Sequence, residues 1–150
     1  MATDLGRALP VVLHLRLVDH AGRAADDVAV PICTVDDMGF PHAAMLSYAE
    51  VSAVDAGLLR ARVFSSSRTA RHLRRDGRAT LLFVDPAGVW YVKAVVDGEE
   101  AADPGVPGAA VFPLRVHAVI ADDVDRSREP AAAIVSGIRF RRTDAPSASP

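Results

Sequence analysis

The run Ser65-Ser66-Ser67-Arg68-Thr69-Ala70-Arg71-His72-Leu73-Arg74-Arg75-Asp76-Gly77 gathers hydroxyls and fixed positive charge between two apolar segments. A hydroxyl-rich turn that opens an arginine-loaded helix offers free backbone N–H groups, side-chain hydroxyls and guanidinium groups at one point, which is the chemistry that holds a phosphate. The same pattern also describes a serine N-cap followed by a solvated basic face, and by local pattern alone this plainer reading is the commoner one. Just upstream, residues 58–64 alternate so that Arg60 and Arg62 leave one side of a strand that runs straight into the serines. Downstream stands Lys93, the only lysine among seventeen basic residues. Its plain alternative is an exposed strand lysine. His14, His20, His42, His72 and His117 show no metal-ligand spacing, and no Ser-His-Asp or paired-carboxylate arrangement is legible.

The elements that must position these residues are mostly strands. Residues 11–18 alternate well enough for a strand, and a short helix fits almost equally. A turn at His20-Ala21-Gly22-Arg23 precedes a β-rich run over 28–35 that contains Pro31, and 40–54 reads as one further strand. The helix over 68–75 ends at Asp76-Gly77, a residue pair suited to a left-handed C-cap. A hairpin over 78–84 and 89–96, a loop at 103–108 and a long strand over 109–120 follow. Residues 126–133 fit a short helix, and 134–140 a terminal strand or arm. This spacing predicts a mainly β chain: a six-stranded antiparallel barrel with a short helix between strands three and four. No GxGxxG or GxxxxGK[ST] motif supports a nucleotide-binding α/β sheet instead.

Composition narrows the function classes. At 150 residues the chain is one domain, read here as 1–143 with a Pro/Ser/Ala tail over 144–150 that has nothing to bury. A net charge of −2 lacks the basic balance of a nucleic-acid binder. The single cysteine, Cys33, excludes an intramolecular disulfide and a cysteine metal cluster, and reads as a small core residue. Residues 9–18 are too short and too polar for a signal sequence or membrane span, so a cytoplasmic protein is expected, with no membrane partner.

Pro41-His42 in a strand, a turn with Gly57, then Ser67-Arg68-Thr69-Ala70, Leu73, Asp76-Gly77-Arg78, Leu81-Leu82-Phe83 and a strand closing at Gly98 together resemble the pyridoxamine-phosphate-oxidase-like split-barrel flavoproteins, over about residues 28–120. The resemblance implies a split β-barrel homodimer with FMN in the groove between subunits. It places the flavin phosphate at Ser67, Arg68 and Thr69, where the family's serine and arginine match and its lysine is a threonine. A strand arginine of the oxidases falls on Ala44 and is absent. Met45, Leu46 and Ser47 continue that contact segment, and Arg62 with Val63 occupies the pair before the helix, where Arg62 could supply the missing charge. Lys93 falls on a flavin-ring contact, where a cation would stabilise a reduced flavin. His42, beside the contact strand, and His72, one turn into the helix, are the histidines nearest this site. Residues 137–143 contain no histidine, unlike the substrate-binding segment of true pyridoxamine-phosphate oxidases. The expected activity is therefore FMN-dependent oxidoreduction of some other small molecule. The deazaflavin F420, whose acidic tail would suit Arg71, Arg74 and Arg75, and a non-catalytic flavin- or haem-binding module are the alternatives.

Overall fold

A computed structural model of the chain describes residues 2–18, 28–135 and 137–140. The backbone runs β1 (Thr3–Asp4), α1 (Val11–Val18), β2 (Ala29–Val35), β3 (Pro41–Ser47), a 3-10 turn (Tyr48–Glu50), β4 (Val51–Asp55), β5 (Leu58–Phe64), α2 (Arg68–Arg75), β6 (Arg78–Asp85), β7 (Gly88–Val96), β8 (Ala101–Ala102) and β9 (Ala109–Asp122). The strands make one antiparallel sheet ordered β3-β2-β6-β7-β9-β5-β4, with the short β1 and β8 added on β9. The edge strands β3 and β4 are consecutive in the chain and joined by only the three-residue 3-10 turn, so both ends of the sheet are drawn together. That connection curls the sheet into a half-closed barrel, open along the seam where no ladder joins β3 to β4 among the described residues.

Period-two alternation fills the inside of this curl. Val30 and Ile32 of β2, Leu59 and Ala61 of β5, Leu81 and Phe83 of β6, Val92 of β7, and Phe112 and Leu114 of β9 are buried together, while their strand neighbours face outward. α1 closes one side of the core through Leu13 and Leu17. Its Arg16 donates to the buried Asp85 carboxylate at 2.5 Å and lies 4.6 Å over the ring of Tyr48.

Several expectations change. Residues 11–18 form a helix, because burial follows the i, i+4 pair Leu13 and Leu17 and leaves Leu15 exposed, against the alternation that suggested a strand. The predicted strand over 40–54 divides in two. The Glu50 carboxylate accepts from the Ser47 N–H at 2.9 Å and Tyr48 turns into the core against Phe83, which breaks the extended run. Four main strands, β2 to β5, therefore precede α2, so the helix lies between the fourth and fifth, not the third and fourth, and the six-strand count is exceeded. Residues 126–133 make two short turns, one on the Asp125 carbonyl and one on the Glu129 carbonyl through Pro130, in place of a helix. Among the described residues of 134–140, an isolated bridge joins Val28 with Arg139 in place of a strand. Cys33 is half-buried on the outer side of β2 and is not a core residue. The turn proposed at 20–23 and the tail over 144–150 lie outside the described residues. Among those described, no helix is long and apolar enough to cross a membrane.

Candidate functional site

α2 spans the residues expected of it, and its caps explain why. The Ser67 hydroxyl accepts from the Ala70 N–H at 3.1 Å, and Gly77, at φ +78°, takes the left-handed turn that ends the helix. Only one first-turn donor is used by this cap. The N–H groups of Arg68 and Thr69 have no partner among the described residues, so the helix start keeps two free donors and the positive end of its dipole.

These donors adjoin a cleft of about 200 Å³ in the seam of the barrel. β3 supplies Ala44, Met45 and Leu46, β5 supplies Arg62, Val63 and Phe64, α2 and its cap supply Thr69 and Ser67, and Glu50, Val106 and Ala109 complete the wall. The position left without arginine on β3, Ala44, faces the same cleft as Arg62. Of the nine residues nominated from sequence, Met45, Leu46, Arg62, Val63, Ser67 and Thr69 meet here. Ser47, Arg68 and Lys93 do not line it. Ser47 is buried at the end of β3, Arg68 is exposed on the first turn of α2, and Lys93 lines a different cleft.

The site has its own anions. Arg62 Nη1 lies 3.4 Å from an Asp103 carboxylate oxygen, a long contact, while the other oxygen accepts from the Gly105 N–H at 2.8 Å and shapes the loop that carries Val106. A ligand phosphate would exchange that weak partner for a stronger one. Arg74 is exposed yet engaged: it donates from Nε and Nη2 to Glu100, from Nη1 to the Ser65 carbonyl at 2.8 Å and from Nη2 to the Ser65 hydroxyl at 3.0 Å. The guanidinium holds the Glu100 carboxyl below the usual carboxylate range and braces the serine turn. Arg75 likewise pairs with Asp37 and donates to the Val35 carbonyl at 2.6 Å. Arg71 alone of the three remains exposed without a partner among the described residues.

His72 faces inward from α2. It is 1 % exposed, its Nδ1 lies 2.9 Å from the Thr34 hydroxyl, and its ring meets His42 edge-on at 4.9 Å between centroids. Burial, then the neighbouring His42 and the guanidinium of Arg71, push its pKa below the ordinary histidine value, with Asp36 opposing. Among the described residues no group of three or more His, Cys, Asp or Glu could hold a metal.

Glu50, Phe64, Asp103, Val106 and Ala109 were not foreseen at the site. A signal for Glu50 existed in Ser47-Tyr48-Ala49-Glu50, a capping pattern concealed by reading one continuous strand. Phe64 and Ala109 reach the cleft through the β5–β9 register, which pairs them, and Asp103 and Val106 through the loop that precedes β9.

No family model and no curated protein matches the sequence. Solved structures do match the fold. A protein from Lactobacillus delbrueckii, provisionally assigned as a pyridoxamine 5'-phosphate oxidase, superposes with a TM-score of 0.61 at 17 % identity over 77 % of this chain and 97 % of its own. An FMN-binding protein from Syntrophomonas wolfei gives 0.55 at 10 % identity over 75 % and 90 %. An F420 reductase gives 0.51 at 13 % identity over 63 % and 90 %. The chain thus has the split-barrel fold of the pyridoxamine-phosphate-oxidase-like proteins.

Proposed function

We propose that this chain is a flavin-binding split-barrel protein that uses FMN to oxidise or reduce a small molecule other than a pyridoxamine phosphate. One observation carries the reading. Arg62, Ser67 and Thr69, distant in sequence from the Met45–Leu46 edge, converge with it on one cleft beside two free N–H groups at a helix start. The flavin phosphate is assigned to those N–H groups, the Ser67 and Thr69 hydroxyls and Arg62. Met45 and Leu46 flank the ribityl chain, and Ser47 and Val63 hold the backbones of β3 and β5 in place beside it. Bound FMN supplies hydride transfer, and the protein's part is to anchor, orient and shield it.

The residues fit the phosphate end of the nucleotide better than the whole. About 200 Å³ falls short of the ~300–1,000 Å³ of usual ligand sites. The ring therefore lies beyond the cleft against a second wall, which we assign to another copy of the chain in a homodimer. Lys93, which lines a separate cleft of its own chain, is assigned no contact with the FMN of that chain.

F420 is the second reading, favoured by the fold shared with an F420 reductase. It is weakened by the engagement of Arg74 and Arg75 in ion pairs, which leaves Arg68 and Arg71 for an acidic tail. Titration of the purified protein with FMN, F420 and haemin, followed by absorption, separates the readings. Retained FMN that bleaches with NAD(P)H supports the proposal. Retention of F420 alone supports the second reading, a Soret band supports a haem module, and no retained chromophore overturns all three.

A further inference from the structure

The outer face of β2, β6, β7 and β9 carries a second cleft, larger than the first at about 480 Å³ and within the range of small-molecule sites. Its floor follows from strand register. Cys33 pairs with Thr80, Thr80 with Lys93 and Lys93 with Ala118, so four outward residues form one row across four strands. Three of the four are short, and Cys33, Thr80 and Lys93 line the cleft, while Pro41, Val35 and Val95 stand in the neighbouring row and raise one apolar wall beside a single ammonium group.

An irregularity in β9 adds a second polar group. The β7–β9 register moves from Lys93 with Ala118 to Ala94 with Val116, skipping His117. This bulge turns both His117 and Ala118 outward between the buried Val116 and Val119, placing the imidazole at the cleft beside Lys93. Charge in the cleft is one-sided. No carboxylate lines it, Arg78 is already neutralised by Asp76 at 2.9 and 2.7 Å, and Lys93 has no ion-pair partner among the described residues. An unpaired ammonium beside an apolar wall lacks both an anion and an apolar body.

We propose that this cleft is a separate binding site for a small organic anion, with its carboxylate or phosphate on Lys93 and His117 and its apolar body against Val35, Pro41 and Val95. The site does not rest on the flavin reading, and its anion titration needs no bound cofactor. Lys93 provides the reporter: besides the N-terminal amine it is the only amine of the chain, and reductive ¹³C-methylation keeps its charge. NMR titration with benzoate, phenyl phosphate and inorganic phosphate is compared with the uncharged benzamide.

The expected result is a saturable shift of the Lys93 dimethyl resonance with benzoate or phenyl phosphate, at an affinity of about 1 mM or tighter, weakened by added salt. The tighter of the two identifies the head group, and weaker binding of inorganic phosphate shows that the apolar wall contributes. His117→Ala weakens the titration severalfold. Lys93→Gln, read at the His117 ring, abolishes it, and saturating FMN leaves it unchanged. No saturation, an equal response to benzamide, a parallel shift of the N-terminal amine, or competition by FMN overturns the proposal.

Discussion

Arg62 and Arg68 are six residues apart and differ in what they can reach. Arg62 lines the cleft and holds only a 3.4 Å contact with Asp103, whereas Arg68 stands exposed on the first helical turn outside the lining. Charge-assisted hydrogen bonds to phosphate outweigh distant, screened attraction. Arg62→Ala should therefore weaken FMN binding about tenfold or more, ~1.4 kcal/mol, and Arg68→Ala severalfold at most. Fluorescence titration of the two variants checks the order, and a larger loss at Arg68 would move the phosphate off the cleft. Ser67→Ala separates cap from ligand. Losing the bond to the Ala70 N–H should cost about 1 kcal/mol in urea unfolding. That Arg62, Ser67 and Thr69 share one cleft was legible because hydroxyls at a helix start and an arginine leading into it have local signatures. Asp103 and Phe64 were not, because their places depend on pairing across β5 and β9 and on a loop.

α2 is tied to β2 and β3 by a group that changes charge near neutral pH. His72 is buried against Thr34 and His42, with Arg71, Arg68 and Asp36 as its charged neighbours, and its pKa lies below the ordinary 6.5. With the folded value depressed, the unfolded chain binds the proton more readily, so stability rises with pH across that window. The contribution of His72 is present above pH 6.5 and is lost as pH falls from there through its folded value. Urea midpoints between about pH 7.5 and 5 should fall with acid, and His72→Gln should flatten that fall. An equally steep fall in the variant would assign the acid sensitivity to other groups. At this scale α2 was legible to the residue because both of its caps are local. α1 was not: its alternation and its i, i+4 pair compete, and contact with the barrel decides for Leu13 and Leu17. The split of β3 from β4 was likewise set by Tyr48 turning inward, a tertiary event.

For the molecule as a whole, the half-closed curl leaves an edge and an apolar rim at one place. Met45 on β3 and Phe64 on β5 line the seam cleft at 56 % and 66 % exposure. Large side chains this exposed beside a cleft too shallow for a nucleotide suit a surface that is covered in the working assembly. The alternating pattern that announced a barrel cannot disclose this, since outward Met45 and Phe64 read as ordinary members of their strands. The homodimer proposed over this rim would make oligomeric state and cofactor retention a single property. Phe64→Glu places a charge where the second wall is proposed, and its side chain already projects outward, so the fold should survive with an unchanged circular dichroism spectrum. Sedimentation should then show a dimer for the parent chain and a monomer for the variant, with FMN retention reduced about tenfold or more, because burying an unpaired carboxylate in the interface is costly. A monomeric parent chain, or a monomeric variant that retains FMN as tightly as the parent, would place the whole flavin within one chain and remove the second copy from the site.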